Sequence, residues 1–345
     1  MTVGPIQLRD KVLRNLASQG EAGTSWLEAL PSLLGRLEAE WSVKAGGLFP
    51  NATEAFVSEA VTANGQPVVL KIPIPGPMKA ERERSLLQTA SGRGYVRVLR
   101  HDANSGAMLL ERLGPQLAML CLPIEEQIKV ICRTLQQAWM PIPPGARYPT
   151  GAEKALEMSS YISRAWSRLG RPCSEKVIEI ALRFAEARRD AFDPSDSVLA
   201  HGDPHAWNTL LDPKTNQYKF VDPDGLFIER AHDLSISMRE WSAALLAGDP
   251  VISGRKRCAL LSRLTGVQQS TIWQWSFIER LVNGLRYTEV GPQENAAEFL
   301  AVVEAWAEVE TIQTHPASMT SAMSPFGAKA SSNSGAGDDR FAAQP

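Results

Sequence analysis

The stretch His201-Gly202-Asp203-Pro204-His205-Ala206-Trp207-Asn208, followed by Phe220-Val221-Asp222-Pro223-Asp224-Gly225, decides how this chain is read. It sets an aspartate, an asparagine and a second aspartate at the spacing of a phosphoryl-transfer site. In such a site one carboxylate, here Asp203, orients and deprotonates a hydroxyl. Asn208 and Asp222 hold magnesium beneath a nucleoside triphosphate. The flanking letters agree. Val198-Leu199-Ala200 reads as a short apolar strand leading in. Thr209-Leu210-Leu211 leads out, and the turn Asp212-Pro213-Lys214-Thr215-Asn216 returns the chain into Tyr218-Lys219-Phe220-Val221. That hairpin brings Asn208 and Asp222 to the same end.

Two plainer readings compete. His201 and His205 could ligate a metal, but Pro204 opposes the helix that would stack one over the other. An ordinary loop is the other reading, and a lone Asp-x4-Asn would not exclude it. The longer pattern, closed by an apolar-apolar-Asp turn, is far more specific. His201 reads as architectural, a ring that bonds backbone, with Gly202 giving the loop its freedom.

The chain has 345 residues and a formal net charge of -2, enough for one two-lobed domain or two ordinary ones. The balanced charge gives no sign of nucleic-acid binding. No stretch reads as a signal peptide or a membrane span. Cys121, Cys132, Cys173 and Cys258 are scattered without a CxxC, as expected of thiols in a reducing cytoplasm.

Working outward, Ile6 to Ala17 and Thr24 to Trp41 carry apolar residues at helical spacing, with Thr24 or Ser25 as cap. From Leu48 the pattern turns to strands. Ala55 to Thr62, the hairpin signal Asn64-Gly65, and Val68-Val69-Leu70-Lys71-Ile72 follow in order. Lys79 to Ala90 reads as a charged helix. Val96 to Arg100 and Ala107 to Glu111 form a second hairpin. After Gly114 the chain is mostly helical apart from the hairpin over 198–222. The expected division is an N-terminal helical segment (1–47), a nucleotide-binding lobe (48–113), a catalytic and acceptor-binding lobe (114–313) and a disordered, Ser/Ala/Gly/Pro-rich tail (314–345).

A lysine on the third strand followed by a glutamate-bearing helix is a second marker. Lys71 would touch the nucleotide phosphates, and Glu83, or its neighbour Glu81, would hold the ammonium. Taken alone, Glu81-Arg82-Glu83-Arg84 reads as a solvated helix face. No Walker loop is present, so the turn Pro50-Asn51-Ala52-Thr53-Glu54 would cover the phosphates, with the Thr53 hydroxyl in reach. Backbone groups of Glu111 and Leu113, in Leu110-Glu111-Arg112-Leu113-Gly114, would bond adenine; an ordinary strand end is the alternative.

These residues, in this order, resemble the aminoglycoside phosphotransferases. The resemblance runs from about Trp26 to Trp306 and is greatest to the branch of streptomycin 6-kinases and hydroxyurea kinases. It rests on Phe49-Pro50-Asn51-Ala52-Thr53-Glu54-Ala55, Leu70-Lys71, Gly92-Arg93-Gly94, Leu110-Glu111-Arg112-Leu113, the run from His201 to Leu210, and Asp222-Pro223-Asp224-Gly225-Leu226. Asp233-Leu234, Met238-Arg239-Glu240-Trp241, Trp273-Gln274-Trp275 and Glu279-Arg280 also match. The resemblance implies an α+β, protein-kinase-like fold with a small antiparallel-sheet N-lobe and a larger, mostly helical C-lobe. It implies ATP, Mg2+ and a small-molecule hydroxyl as acceptor. Carried over, Asp203 is catalytic, Asn208 and Asp222 are metal ligands, and Lys71 binds the α- and β-phosphates, with Glu83 as its partner. Asp233 matches a structural aspartate. Asp224 is an extra acid, either a supporting group or a solvated turn residue.

Asp222 is followed within a few residues by Glu229-Arg230-Ala231-His232-Asp233, which leaves no room for the long segment that binds a peptide in protein kinases. The acceptor is therefore small, and a cationic aminoglycoside would need carboxylates near Asp203. Glu229, Glu240 and Glu279 are the candidates, with Trp207, Trp273 or Trp275 as faces for a cation. The same chemistry on hydroxyurea or another metabolite, and a nucleotide-binding module without turnover, are the competing expectations.

Overall fold

The computed structural model describes residues 8, 10–50, 52, 54–76 and 79–310. The expected tail over 314–345 and the Thr53 contact lie outside the described residues. Helices α1 (Asp10–Ser18) and α2 (Glu21–Trp41) precede a five-stranded antiparallel sheet of β1 (Val43–Leu48), β2 (Ala55–Thr62), β3 (Pro67–Pro73), β4 (Val98–His101) and β5 (Met108–Glu111). The strand order is β1-β2-β3-β5-β4, and α3 (Lys79–Ala90) connects β3 to β4.

Sequence expectation and structure differ at two places here. β1 begins at Val43, inside the segment expected to be helical. The helix ends at Ser42, which takes a left-handed φ of 52° and turns the chain straight into the sheet. Gly46-Gly47 within the strand hides its alternation. The cap of α2 is Gly20, and Thr24 lies inside the helix, its hydroxyl returning to the Gly20 carbonyl at 3.3 Å.

Alternation along β3 sorts its side chains. Val68, Leu70 and Ile72 are buried against Leu30, Leu34, Leu37 and Trp41 of α2. Val69 and Lys71 point to the opposite face. There α3 buries Glu83, Leu86, Leu87 and Ala90. A lysine between two core residues is thus delivered by strand geometry to the side facing the rest of the molecule.

The remainder is mostly helical. A 3-10 turn (Leu117–Leu120) leads into α4 (Ile124–Ala138), α5 (Gly151–Arg168) and α6 (Glu175–Asp190). Two small antiparallel pairs follow, β6 (Ser197–Ala200) with β9 (Leu226–Glu229) and β7 (Thr209–Asp212) with β8 (Gln217–Phe220). Helices α7 (Arg230–Arg239), α8 (Ser242–Leu246), α9 (Pro250–Thr265), α10 (Gln269–Val290) and α11 (Gln293–Glu308) complete the body. α10 is its axis: Trp275, Phe277, Ile278, Leu281 and Leu285 are all fully buried. No helix among the described residues is long and apolar enough to cross a membrane.

Gly94 joins the sheet to this body. The Phe220 amide donates to the Gly94 carbonyl at 2.9 Å, and the Val96 amide donates to the Phe220 carbonyl at 2.8 Å. Gly94 has φ +69°, and a Cβ there would sit 2.7 Å from the Ala138 amide nitrogen. Backbone cannot yield as a flexible side chain does. Gly94→Ala is expected to cost about 3 kcal/mol from strained φ and overpacking together. Urea unfolding checks this, and a change within 0.5 kcal/mol, the range typical of neutral surface changes, would contradict it.

Candidate active site

The loop after β6 is held from beneath by one buried carboxylate. Asp233, on the first turn of α7, accepts the Gly202 amide at 2.8 Å and the His201 amide at 3.1 Å. It also accepts the Trp139 indole N–H at 2.9 Å. The His201 ring is buried and spans the loop. Its Nδ1 accepts the Asp203 amide at 3.1 Å, so Nε2 carries the proton toward the Val221 carbonyl at 3.0 Å. Burial lowers the ring's pKa, consistent with a neutral imidazole in that tautomer. Gly202 has φ +93°, and a Cβ there would meet Asp224 Cβ at 2.8 Å. Glycine therefore lets the turn carrying Asp222 and Asp224 close onto the loop carrying Asp203.

The hairpin β7–β8 sets the next two groups. The Val221 amide donates to the Asn208 carbonyl at 3.0 Å, which places Asn208 beside Asp222. Asn208 Nδ2 donates to the Asp203 carbonyl at 3.1 Å, leaving Oδ1 as its other polar end. Asp222 takes φ +59°, an unusual conformation for a side-chain-bearing residue and one frequent at functional sites. It carries the carboxylate across to β3.

There Lys71 Nζ lies 2.8 Å from Asp222 Oδ1 and 2.5 Å from Glu83 Oε1. Glu81 instead pairs with Arg84 at the surface, so the choice between the two glutamates falls on Glu83. Desolvation works against the Lys71 charge, but Asp222 and Glu83 outweigh it and raise its pKa. Asp222 is held at about 2, chiefly by Lys71. Burial pushes Glu83 up to about 7 despite the lysine beside it. Asp222 is thus the firm counter-charge of Lys71, and burial shifts Glu83 toward its neutral form.

A cavity of about 640 Å³ opens beside this triad, lined by Lys71, Glu83, Asp222, Glu54, Lys79 and Arg82 among others. The sequence marks Lys79 only as the start of a helix. In the structure it lies 2.7 Å from Glu54 and 3.0 Å from Asp224, a second cation beside Asp222. Asp224 is likewise no idle turn residue, being paired with Lys79 and part of a second cavity. Glu111 and Leu113 do not line the first cavity. The Glu111 carboxylate accepts Lys219 at 2.6 Å and the Arg97 amide at 2.8 Å.

The second cavity, about 410 Å³, lies at Asp203 and is lined by Trp207, Asp224, Arg239, Glu240, Glu279 and Lys154 among others. Trp207 is half-exposed there. Glu229 is not in its wall, which corrects the expectation from sequence. It ends β9 facing α6 and α10, where it takes Arg188 at 3.2 Å and the Trp275 indole at 2.7 Å. Trp273 and Trp275 are both buried, the first bonded to Glu310 and packed on Trp306, so neither offers a face to a ligand.

Sequence reasoning also gave no role to Arg239, which dominates this cavity. Its Nη2 lies 2.7 Å from Asp203 Oδ1 and 3.2 Å from Glu240 Oε1, and Nη1 is 3.7 Å from Glu279 Oε2. Glu279 Oε1 lies 3.2 Å from His232 Nε2. Burial would raise the Asp203 pKa, but Arg239 and His205 hold it well below the usual carboxylate range. Its position at the end of α7, 36 residues beyond Asp203, left no local signal for the pairing.

A small antiparallel sheet presenting Lys71 to a helical body that presents Asp203 defines a protein-kinase-like phosphotransferase. Residues 40–291 match the family model described as aminoglycoside/hydroxyurea antibiotic resistance kinase, and the chain belongs to that family. It is 29% identical over 297 residues to the streptomycin 6-kinase of Streptomyces griseus, covering 84% of this chain and 94% of that one. It is 26% identical over 276 residues to the streptomycin 6-kinase of Streptomyces glaucescens, covering 79% and 87%. Among solved structures, choline kinase LicA from Streptococcus pneumoniae superposes with a TM-score of 0.56 at 14% identity, covering 81% of this chain and 99% of that one. That likeness concerns the fold. The chain is an enzyme of the phosphotransferase class that acts on hydroxyl groups.

Proposed function

We propose that this protein transfers the γ-phosphate of ATP to a hydroxyl of a small molecule, and that the acceptor is a streptomycin-like aminoglycoside. The single observation that carries the reaction is the juxtaposition of Lys71, Glu83 and Asp222 on one side of a turn with Asp203 on the other. The streptomycin 6-kinases it resembles over most of their length carry the choice of acceptor.

Lys71 and Lys79 supply positive charge for the phosphates at the mouth of the first cavity. Asn208 and Asp222 offer two oxygen donors, a set that suits magnesium, which keeps waters and phosphate oxygens in its other positions. The ion, when bound, neutralises charge on the phosphates. Asp203 receives the acceptor's hydroxyl. With its pKa held low by Arg239 it is a weak base, so its main work is orientation: it takes the proton as the hydroxyl oxygen bonds to phosphorus and ADP departs.

The second cavity, about 410 Å³, is within the range of small-molecule sites, and Trp207, Glu240 and Glu279 lie in its wall. A second reading has support in the same place. Arg239 already pairs with Glu240 and Glu279, which lowers the charge left for a polycation and favours a neutral hydroxyl compound such as hydroxyurea. Incubation with magnesium-ATP and, separately, streptomycin, a 2-deoxystreptamine aminoglycoside and hydroxyurea distinguishes them by mass spectrometry. Phosphorylated streptomycin alone is the expected result. A phosphorylated hydroxyurea would replace the acceptor and keep the reaction, and no phosphorylated product with slow ATP hydrolysis would remove all three acceptors.

A further inference from the structure

Arg239 is a partly buried guanidinium that touches the Asp203 carboxylate, and two fully or nearly fully buried arginines fix it. Arg280 Nη2 donates to the carbonyls of Met238 at 2.7 Å and of Arg239 itself at 2.8 Å. Arg257 Nη1 donates to the carbonyls of Glu240 at 2.7 Å and Ser237 at 3.3 Å. Together they satisfy the free carbonyls at the C-terminal end of α7, where the helix dipole favours positive charge. Arg280 is fully buried, its guanidinium lying 5.2 Å from the ring centres of both Phe299 and Trp306. Its side chain also reaches the Ser242 hydroxyl at 3.0 Å. On the other side, Glu240 and Glu279 flank the Arg239 head group.

Two buried cations packed together are costly unless the geometry they hold is needed. What they hold is the direction of Arg239 into the cavity. Arg239 in turn takes Asp203 Oδ1 at 2.7 Å, while the other oxygen, Oδ2, is 3.3 Å from His205 Nε2. One oxygen of the carboxylate is clamped and the other is held more loosely.

We propose that Arg239 is a positioning residue for the transfer: it clamps Oδ1 and so presents Oδ2 of Asp203 to the acceptor hydroxyl. The inference rests on the phosphotransferase reading above and adds to it a residue with no assigned part. A fixed carboxylate keeps the hydroxyl aligned with phosphorus, and small misplacements of such groups are costly. Glu240 and Glu279 keep the guanidinium from turning further into the cavity or toward a phosphate. Arg239 therefore serves Asp203 and does not serve as a phosphate ligand.

Arg239→Ala is expected to lower kcat about a hundredfold while the KM for ATP stays within about threefold, the split expected when a transition-state contact is lost and ground-state binding kept. Added guanidinium ion, kept below denaturing concentration, is expected to restore part of that turnover in Arg239→Ala and none in Asp203→Ala. Arg239→Lys keeps a charge but not the fork and is expected to fall between the two. ATP hydrolysis with water as acceptor is followed in the same proteins. If Asp203→Ala loses this hydrolysis and Arg239→Ala keeps it, the phosphotransferase reading stands and the inference fails. If neither variant loses it, both fail. A kcat loss without guanidinium rescue, matched by an equal rise in KM for ATP, identifies Arg239 as structural and overturns the proposal.

Discussion

Asp203→Ala is expected to cut turnover by at least about a thousandfold, within the range contributed by an acid–base or orienting side chain in phosphoryl transfer. Nucleotide binding is expected to stay within about threefold, because the residues that line the first cavity are separate from it. The fold is expected to tolerate the change. Asn208 is bonded to the Asp203 backbone carbonyl, and His201 to its amide, so both loop contacts survive the loss of the carboxylate. Arg239 retains Glu240 and Glu279 and is not left as an unpaired buried charge. Initial rates and nucleotide titration calorimetry on the same preparation separate the two quantities. Unchanged turnover would remove Asp203 from the reaction. An equal loss of ATP affinity would mean that the loop had collapsed.

Lys71→Met removes the cation that pairs with Asp222 and Glu83 in the other cavity and has two consequences of different kind. Turnover at fixed ATP is expected to fall about a hundredfold or more, as when one preorganised donor to developing charge is deleted. The second consequence concerns stability. Glu83 is buried, and burial already pushes it up to about 7 beside Lys71. Without the lysine its pKa rises further. A carboxyl whose folded pKa exceeds its unfolded value binds more protons when folded, so stability falls as pH rises between the two values. The methionine variant extends that window upward. Its stability relative to wild type is expected to fall progressively from about pH 6 toward about pH 8.5, at up to about 1.4 kcal/mol for each pH unit, on top of a constant loss from the missing Lys71–Asp222 pair. Asp222 adds no slope in this range: Lys71 is the chief cause of its depressed pKa, so the variant loses that contribution equally at every pH above the carboxylate range. Melting curves across this range check the slope, and a constant offset alone at every pH would contradict the assignment of Glu83 as the titrating partner.

The kinase-like architecture was legible because its signals are local. Asn64-Gly65 marks a hairpin ahead of the apolar run Val68 to Ile72 that carries Lys71, and the short apolar strands between Asn208 and Asp222 are joined by a Pro-Lys-Thr-Asn turn. Where local signals conflict, sequence expectation and structure part. Gly46-Gly47 broke the alternation of β1, and a glycine at position 20, with φ +58°, started α2 ahead of the polar residues expected to cap it. The acceptor cavity was legible only in part. Glu240, Glu279 and Trp207 are in its wall, yet Glu229 points into a neighbouring helix contact with Arg188 and Trp275. Which way a residue points at a strand-to-helix junction depends on tertiary packing, which spacing does not carry. Arg239 and Lys79 went unassigned for the same reason, since each finds its carboxylate through a contact distant in sequence.

The most direct test of the account is label transfer from ATP carrying a radioactive γ-phosphate to streptomycin, with wild type and Asp203→Ala side by side in the presence of magnesium. The account predicts labelled streptomycin from the wild type and a loss of at least about a thousandfold from the variant. Label transfer at equal rates from both proteins would contradict it, as would wild-type protein that binds ATP and passes label to neither streptomycin, hydroxyurea nor water.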